Sequence, residues 1–240
     1  MKGYIHSFES LAALDGAGVR YGVFLAGCPL RCVCCHNPDT WEKSGMIYQS
    51  DELVKKISRY KPYFGNDGGV TFSGGEPMLQ AEFIKSMLPA LAENEINYVI
   101  DTSGTVALCE DVKEVYENAE EVLLDLKFWD EESYREYAKA DMKKVLDTLD
   151  FLEDIKKDTR IRTVVIPGIN DNEEMISKYV SIIKNYTCVK KYELLAFHTM
   201  GFFKYEKLGI ENPLLNTPPL DKERLVQLQK YADSNLQYLM

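Results

Sequence analysis

Short apolar runs recur along the chain at 21–27, 70–74, 98–102, 121–127, 160–167 and 192–198. Each reads as a strand. Between them, apolar positions return at the three-to-four-residue spacing of amphipathic helices, over 50–60, 80–93, 109–118, 142–157 and 171–186. Ser50 stands where the first of these needs an N-cap, and a last helix over 221–238 follows Pro218-Pro219. A short strand over 4–9 leads in, followed by a glycine-bearing turn at 15–18. Runs such as Glu121-Val122-Leu123-Leu124-Asp125-Leu126 are apolar on both faces, as a sheet covered by helices requires. Six βα repeats imply a parallel sheet with right-handed crossovers. Six strands are too few for a closed eight-stranded barrel, so the expectation is α/β, a partial (β/α)6 TIM-like barrel, in one domain over 1–240. Segments 61–69 and 201–219 are expected to be irregular, the second either a connector or a lid and docking surface.

Composition narrows the class. The 240 residues are 45% hydrophobic and 28% charged, ordinary for a globular protein. No apolar stretch approaches the roughly 18 residues of a membrane helix, and residues 1–10 do not resemble a signal peptide. A cytoplasmic protein is expected. The net charge of −10 argues against a general nucleic-acid binder, which needs a basic surface. Six cysteines, four of them clustered, suit a reducing compartment better than a disulfide scaffold. Cys109 and Cys188 read as inert, small apolar residues on helices, and His6 as a packed histidine.

The clustered cysteines lie directly after the first strand, in Gly27-Cys28-Pro29-Leu30-Arg31-Cys32-Val33-Cys34-Cys35-His36-Asn37-Pro38. Thiolates so dense favour a soft metal. Two registers offer three ligands: Cys28, Cys32 and Cys35, or Cys28, Cys32 and Cys34. Three thiolates on a cubane leave one iron without a protein ligand, and an open iron can bind a substrate. A zinc site, a disulfide or simple thiols are the alternatives. Structural zinc commonly draws on a second cysteine pair, and Cys109 and Cys188 each stand alone.

Chemistry also collects at the other strand ends, where α/β barrels build their active face. The second strand exits into Ser73-Gly74-Gly75-Glu76, the third into Asp101-Thr102-Ser103-Gly104, and the fourth into Asp125-Leu126-Lys127. Arg162 lies within the fifth and His198 ends the sixth. Ser-Gly-Gly-Glu is either a turn with an exposed carboxylate or a place where backbone approaches a ligand. Asp101 and Asp125 are either helix N-caps or oxygen ligands for a hard cation. Arg162, between apolar neighbours, needs an anion.

The C-x3-C-x2-C spacing after a strand resembles the radical S-adenosylmethionine (SAM) enzymes. Asp15-Gly16-Ala17-Gly18-Val19-Arg20 and Cys35-His36-Asn37-Pro38-Asp39-Thr40-Trp41 are similar to the glycyl-radical-enzyme activases among them, nearly end to end. The resemblance implies a [4Fe-4S] cluster on Cys28, Cys32 and Cys35 as the catalytic centre. It implies SAM held by Cys34, His36, Gly74, Gly75, Glu76, Asp125, Leu126, Lys127, Arg162 and His198, with Arg162 meeting the SAM carboxylate. It also implies Na⁺ or K⁺ at Asp101, Thr102, the Leu123 carbonyl and Asp125. Reductive cleavage of SAM would give a 5′-deoxyadenosyl radical, which takes hydrogen from a glycine of a partner enzyme. The implied partners are pyruvate formate-lyase, with Asp15 as a contact, and flavodoxin or ferredoxin as electron donor. The chain departs from the family in having Cys34 where an aromatic residue is usual and Ala17 where proline is usual. It carries no inserted ferredoxin-like module, which favours the type acting on pyruvate formate-lyase. A radical SAM enzyme for another glycyl radical enzyme or a small molecule, and a zinc-binding interaction protein, are the competing readings.

Overall fold

The computed structural model describes residues 1–12 and 15–236. It is α/β, with eight strands of a mostly parallel sheet, and divides into two compact units. The first comprises Met1–Pro29, Thr40–Thr102 and Val106–Leu123. The second comprises Leu30–Asp39, Ser103–Thr105 and Leu124–Met240.

In the first unit, β1 (Lys2–Ala12), β2 (Arg20–Leu25), β3 (Met46–Gln49), β4 (Gly69–Gly74) and β5 (Asn97–Thr102) lie side by side in the order β3-β1-β2-β4-β5. β1 runs antiparallel to β2 and β3. The parallel part starts at β2, where Phe24 pairs with Ser73 and Leu25 with Gly74, so the exits of β2 and β4 lie level. β2 and β4 bury nearly every side chain, as their unbroken apolar pattern requires.

Helix α1 (Ser50–Ser58) is capped one residue earlier than expected: Gln49, not Ser50, is the N-cap, and its N–H donates to the Glu52 carboxylate at 3.1 Å. Segment 61–69, expected to be irregular, contains α2 (Lys61–Phe64). The expected 80–93 helix is broken into a 3-10 turn (Pro77–Gln80), α3 (Ala81–Lys85) and α4 (Leu88–Glu93). Pro89 explains the restart, because it lacks an N–H and disfavours helical backbone before it. α5 (Glu110–Asn118) leads into β6 (Glu121–Asp125), which ends in the second unit. Cys109 is the exposed N-cap of α5 and Cys188 is buried just before β8, so neither sits on a helix as expected.

In the second unit, β7 (Thr159–Val165) and β8 (Val189–Ala196) pair in parallel, with Ile161 opposite Tyr192. Helix α6 (Glu131–Ser133) runs into a π turn, Tyr134–Ala138, that the sequence pattern did not indicate. α7 (Met142–Asp154), α8 (Glu173–Ile183) and α10 (Lys222–Asn235) are capped by the side chains of Asp141, Asn172 and Asp221. The predicted end of the last helix, at 237–238, lies outside the described residues. The expected irregular segment 201–219 contains α9 (Phe202–Leu208). β8 is the last strand of the sheet. Beside it, the Gln229 side-chain amide accepts from the Leu194 N–H at 2.8 Å and donates to the Tyr192 carbonyl at 2.9 Å. Among the described residues no helix is long and apolar enough to cross a membrane.

Candidate functional site

In the first unit the exits of β2, β4 and β5 are locked together. Gly74 adopts φ +115°, and a Cβ there would lie 2.3 Å from the Leu25 carbonyl oxygen. A Cβ at Gly75 would lie 2.3 Å from the Gly27 carbonyl oxygen. The neighbouring backbone alone therefore demands both glycines. Their closeness lets the N–H groups of Gly75 and Glu76 donate to Leu25 O at 2.9 Å and Gly27 O at 2.8 Å. The chain then enters the cysteine segment, where the Gly27 and Cys28 N–H groups donate to Thr40 O at 2.7 Å and Trp41 O at 3.0 Å.

Glu76 is fully buried, which removes the alternative of a turn with an exposed carboxylate. Its Oε1 accepts from the Met78 N–H at 3.0 Å and from the Thr102 hydroxyl at 2.7 Å. Ser73 donates to Asp101 Oδ2 at 2.6 Å. The donors expected to take a cation in this unit, Asp101 and Thr102, thus each have a protein partner, and buried Leu123 sits in β6. Asp101 caps no helix.

Asp15 is placed elsewhere in the first unit. Its carbonyl accepts from the Thr71 hydroxyl at 2.6 Å, which fastens the 15–18 turn beside the first half of β4 rather than at its exit. Arg20, to which the sequence reading gave no role, underlies this turn. It is fully buried, and its guanidinium donates to Thr71 Oγ1, Ala17 O, Asp67 O, Val70 O and, at 2.6 Å, Asn97 Oδ1. Burial lowers its pKa to about 10, with Glu121 and Glu120 opposing.

The second unit holds Cys32, Cys34 and Cys35. Arg31 and Val33 donate their N–H groups to Ala138 O at 2.9 Å and Tyr137 O at 2.8 Å, so the π turn carries one side of the cysteine segment. Tyr137 and Ala138 close the turn, where a helix leaves its last carbonyls unpaired, and π turns often mark functional sites. Cys35 N–H folds back on Cys32 O at 3.0 Å. All six cysteines lie outside disulfides, which removes that alternative. Burial pushes the Cys34 thiol up to about 11, with Lys127 opposing.

Asp125, Lys127 and Arg162 form one charged group. Lys127 Nζ lies 2.8 Å from Asp125 Oδ2, and Arg162 Nε and Nη2 donate to Asp125 Oδ1 at 3.1 and 3.0 Å. Arg162 thus finds its anion within the protein, at a strand end, where the sequence reading had assigned the SAM carboxylate. Burial alone would raise the Asp125 carboxyl; Arg162 and Lys127 more than offset this and hold it below its ordinary value. Asp125 caps no helix either. Leu126 is engaged through its backbone, its N–H to Arg162 O and its carbonyl to the Thr163 hydroxyl. Tyr134, which sequence reasoning missed, is fully buried and its OH accepts the Lys127 N–H at 2.9 Å.

His36 and the exposed His198 meet edge to face, ring centroids 4.5 Å apart. Burial, then His198 and Lys204, lowers the His36 pKa. Lys204 and Tyr205 of α9, also missed, reach Asn37, Asp39 and the Cys35 carbonyl. Their sequence signal is weak, because α9 lies between glycines and prolines.

The model of the Radical SAM superfamily matches residues 23–180. The chain belongs to this superfamily. Radical SAM proteins carry a [4Fe-4S] cluster and bind SAM, and the donor set fits: four thiols within eight residues, none in a disulfide. Among the described residues no three His, Cys, Asp or Glu side chains converge as metal ligands, so the fit rests on donor chemistry.

This radical SAM protein is 42% identical over 237 residues to the pyruvate formate-lyase-activating enzyme of Clostridium pasteurianum, covering 98% of the chain and 99% of that relative. The enzyme of the same name from Staphylococcus epidermidis is 37% identical, with 98% and 97% covered. Among solved structures, Streptococcus suis SuiB bound to SAM superposes with a TM-score of 0.66 at 18% identity, over 88% of this chain and 46% of SuiB. A domain of pyruvate-formate lyase-activating enzyme from Bacteroides vulgatus gives 0.57 at 24% identity, over 70% of this chain and 94% of that one. These two establish the fold.

Proposed function

We propose that this chain is an activating enzyme for pyruvate formate-lyase, reductively cleaving SAM to install a glycyl radical on that partner. The similarity to the Clostridium pasteurianum activating enzyme, which extends over 98% of the chain, carries the reading. Cys28, Cys32 and Cys35 are the thiolates that would hold the cluster. When bound, the cluster supplies the electron that breaks a carbon–sulfur bond of SAM and yields the hydrogen-abstracting radical.

The chain's own residues bind, orient and exclude water. The glycine pair at 74–75 fixes the backbone that precedes Cys28, and buried Glu76 joins the β4 exit to Thr102 of β5. In the second unit Asp125 holds Lys127 and Arg162 in place, so two cations stand ready for an anionic ligand without repelling each other out of position. The His36 and His198 rings, packed edge to face, place two imidazoles at the position that follows Cys35 in the chain. Asp15, on its fastened turn, is assigned to the partner, and flavodoxin or ferredoxin to electron supply. The family match runs through residues of both units, which supports reading them as parts of one catalytic domain.

The test is an anaerobic assay of the reconstituted, reduced protein with SAM and pyruvate formate-lyase. 5′-Deoxyadenosine is followed by chromatography and the glycyl radical by EPR. Radical on the partner in step with deoxyadenosine is expected. Deoxyadenosine without partner radical would overturn the choice of partner, and no cleavage by iron-loaded protein would overturn the chemistry.

A further inference from the structure

The chain after β8 grips the far half of the cysteine segment at successive points. His198 packs against His36. Gly201 comes so close that a Cβ there would lie 2.5 Å from the His36 carbonyl oxygen. Tyr205, only 2% exposed, donates its OH to the Cys35 carbonyl at 2.9 Å. Lys204 Nζ lies 2.6 Å from Asn37 Oδ1 and 3.1 Å from Asp39 Oδ1. Lys204 and Tyr205 belong neither to the cysteine motif nor to a strand exit, yet both hydroxyl and ammonium are spent on residues 35–39.

We infer that Lys204 and Tyr205 are positioning residues for the iron–sulfur cluster: they hold Cys35 and the 36–39 segment still and set the potential around them. This rests on the reading that Cys28, Cys32 and Cys35 hold the cluster. Hydrogen bonds and nearby cations favour the more negative, reduced state of a cluster, and groups behind the ligands tune it as the ligands do. The Tyr205 hydroxyl turns the positive end of its dipole toward Cys35. Lys204 sets a positive charge against Asp39, so its loss makes the segment that follows Cys35 more negative. Both losses make the cluster harder to reduce. Both also free the segment, because each removes a tether between elements far apart in the chain.

The test compares wild type, Lys204→Arg, Lys204→Gln and Tyr205→Phe. Each is measured for iron content, for midpoint potential by EPR-monitored titration, and, before iron loading, for amide exchange over residues 35–39. Lys204→Gln and Tyr205→Phe are expected to bind iron, to titrate at more negative potential, and to exchange about three- to tenfold faster in that segment. Lys204→Arg keeps the cation and is expected to match wild type. Should Tyr205→Phe fail to fold, Lys204→Gln, at a half-buried position, carries the decision. Loaded variants with the wild-type midpoint overturn this inference alone. A wild type that takes up no iron overturns the cluster reading and this inference with it.

Discussion

Replacing Gly75 by alanine puts a methyl group 2.3 Å from the Gly27 carbonyl oxygen, 2.8 Å from its carbon and 2.9 Å from the Thr40 carbonyl oxygen. An ordinary contact begins near 3.4 Å, so about 1 Å of backbone displacement is required. Every atom in the way is main chain, and no side chain can turn aside. Overpacking of this kind costs about 1–3 kcal/mol. The Glu76 N–H bond to Gly27 O, 2.8 Å long, is lost in the same movement. Losing that buried bond adds roughly 1 kcal/mol, and the whole corresponds to a fall in Tm of about 4–16 °C for a chain of this length. Gly27 precedes Cys28, so the displacement also reaches the first thiol, and iron loading falls. Gly209→Ala is the control: Gly209 is in the left-handed region at φ +64° and a Cβ there meets nothing within 4 Å, leaving only backbone strain of about 1–2 kcal/mol. Tm of the iron-free protein and iron content after anaerobic reconstitution are measured for both. If Gly75→Ala melts as Gly209→Ala does and takes up the wild-type amount of iron, the close approach of the β4 exit to the cysteine segment is refuted.

Serine at Cys28, Cys32 or Cys35 should each abolish iron uptake measured colorimetrically, whereas Cys34→Ser and Cys109→Ser should retain it; loss with Cys34→Ser would move the ligand register. Asp125→Asn leaves Lys127 and Arg162 facing each other, with side chains only 21% and 10% exposed. Between the limits for exposed and buried pairs, a loss of about 2–3 kcal/mol is expected in guanidinium unfolding, and a change below roughly 0.5 kcal/mol would count against the pairing. For Glu153, burial opposes the charge, but the Thr187 hydroxyl and the Cys188 N–H hold its carboxyl below the ordinary value. That stabilisation is complete above the unfolded pKa of about 4.3 and disappears as pH falls through the lowered folded value. Melting curves between pH 7 and 3 should therefore show Glu153→Gln less acid-sensitive than wild type, and parallel curves would reject the clamp.

All six strands of the βα repeat were legible, because strands covered on both faces must be apolar throughout, and 70–74 or 121–125 offer no other reading. The helix over 80–93 failed at Pro89, where a periodic apolar pattern concealed a missing N–H. β3 escaped notice because Met46–Gln49 is short, exposed at Met46 and Ile47, and held by its pairing with β1 rather than by its own pattern. The cysteine segment and the polar strand exits could be found in the chain because each is contiguous. Their partners could not. Arg162 advertises its need for an anion but not that Asp125, 37 positions away, meets it. Tyr205 lies 170 positions from Cys35, and nothing in Phe202–Leu208 announces that its hydroxyl is reserved for a carbonyl in the cysteine segment. The π turn is hidden for the same reason, since its geometry answers to Arg31 and Val33 rather than to its neighbours.

Gln229 has a bearing on how this protein behaves in a crowd. A sheet's last strand offers donors and acceptors to any passing extended chain, its own copies included. At Tyr192 and Leu194 those groups are already answered by a side-chain amide, which has the same donor and acceptor as a peptide bond but no chain continuing beyond it. The ladder therefore stops at one rung. A visitor must first evict a side chain rooted in a packed helix, so this stretch of the edge is guarded against strand addition.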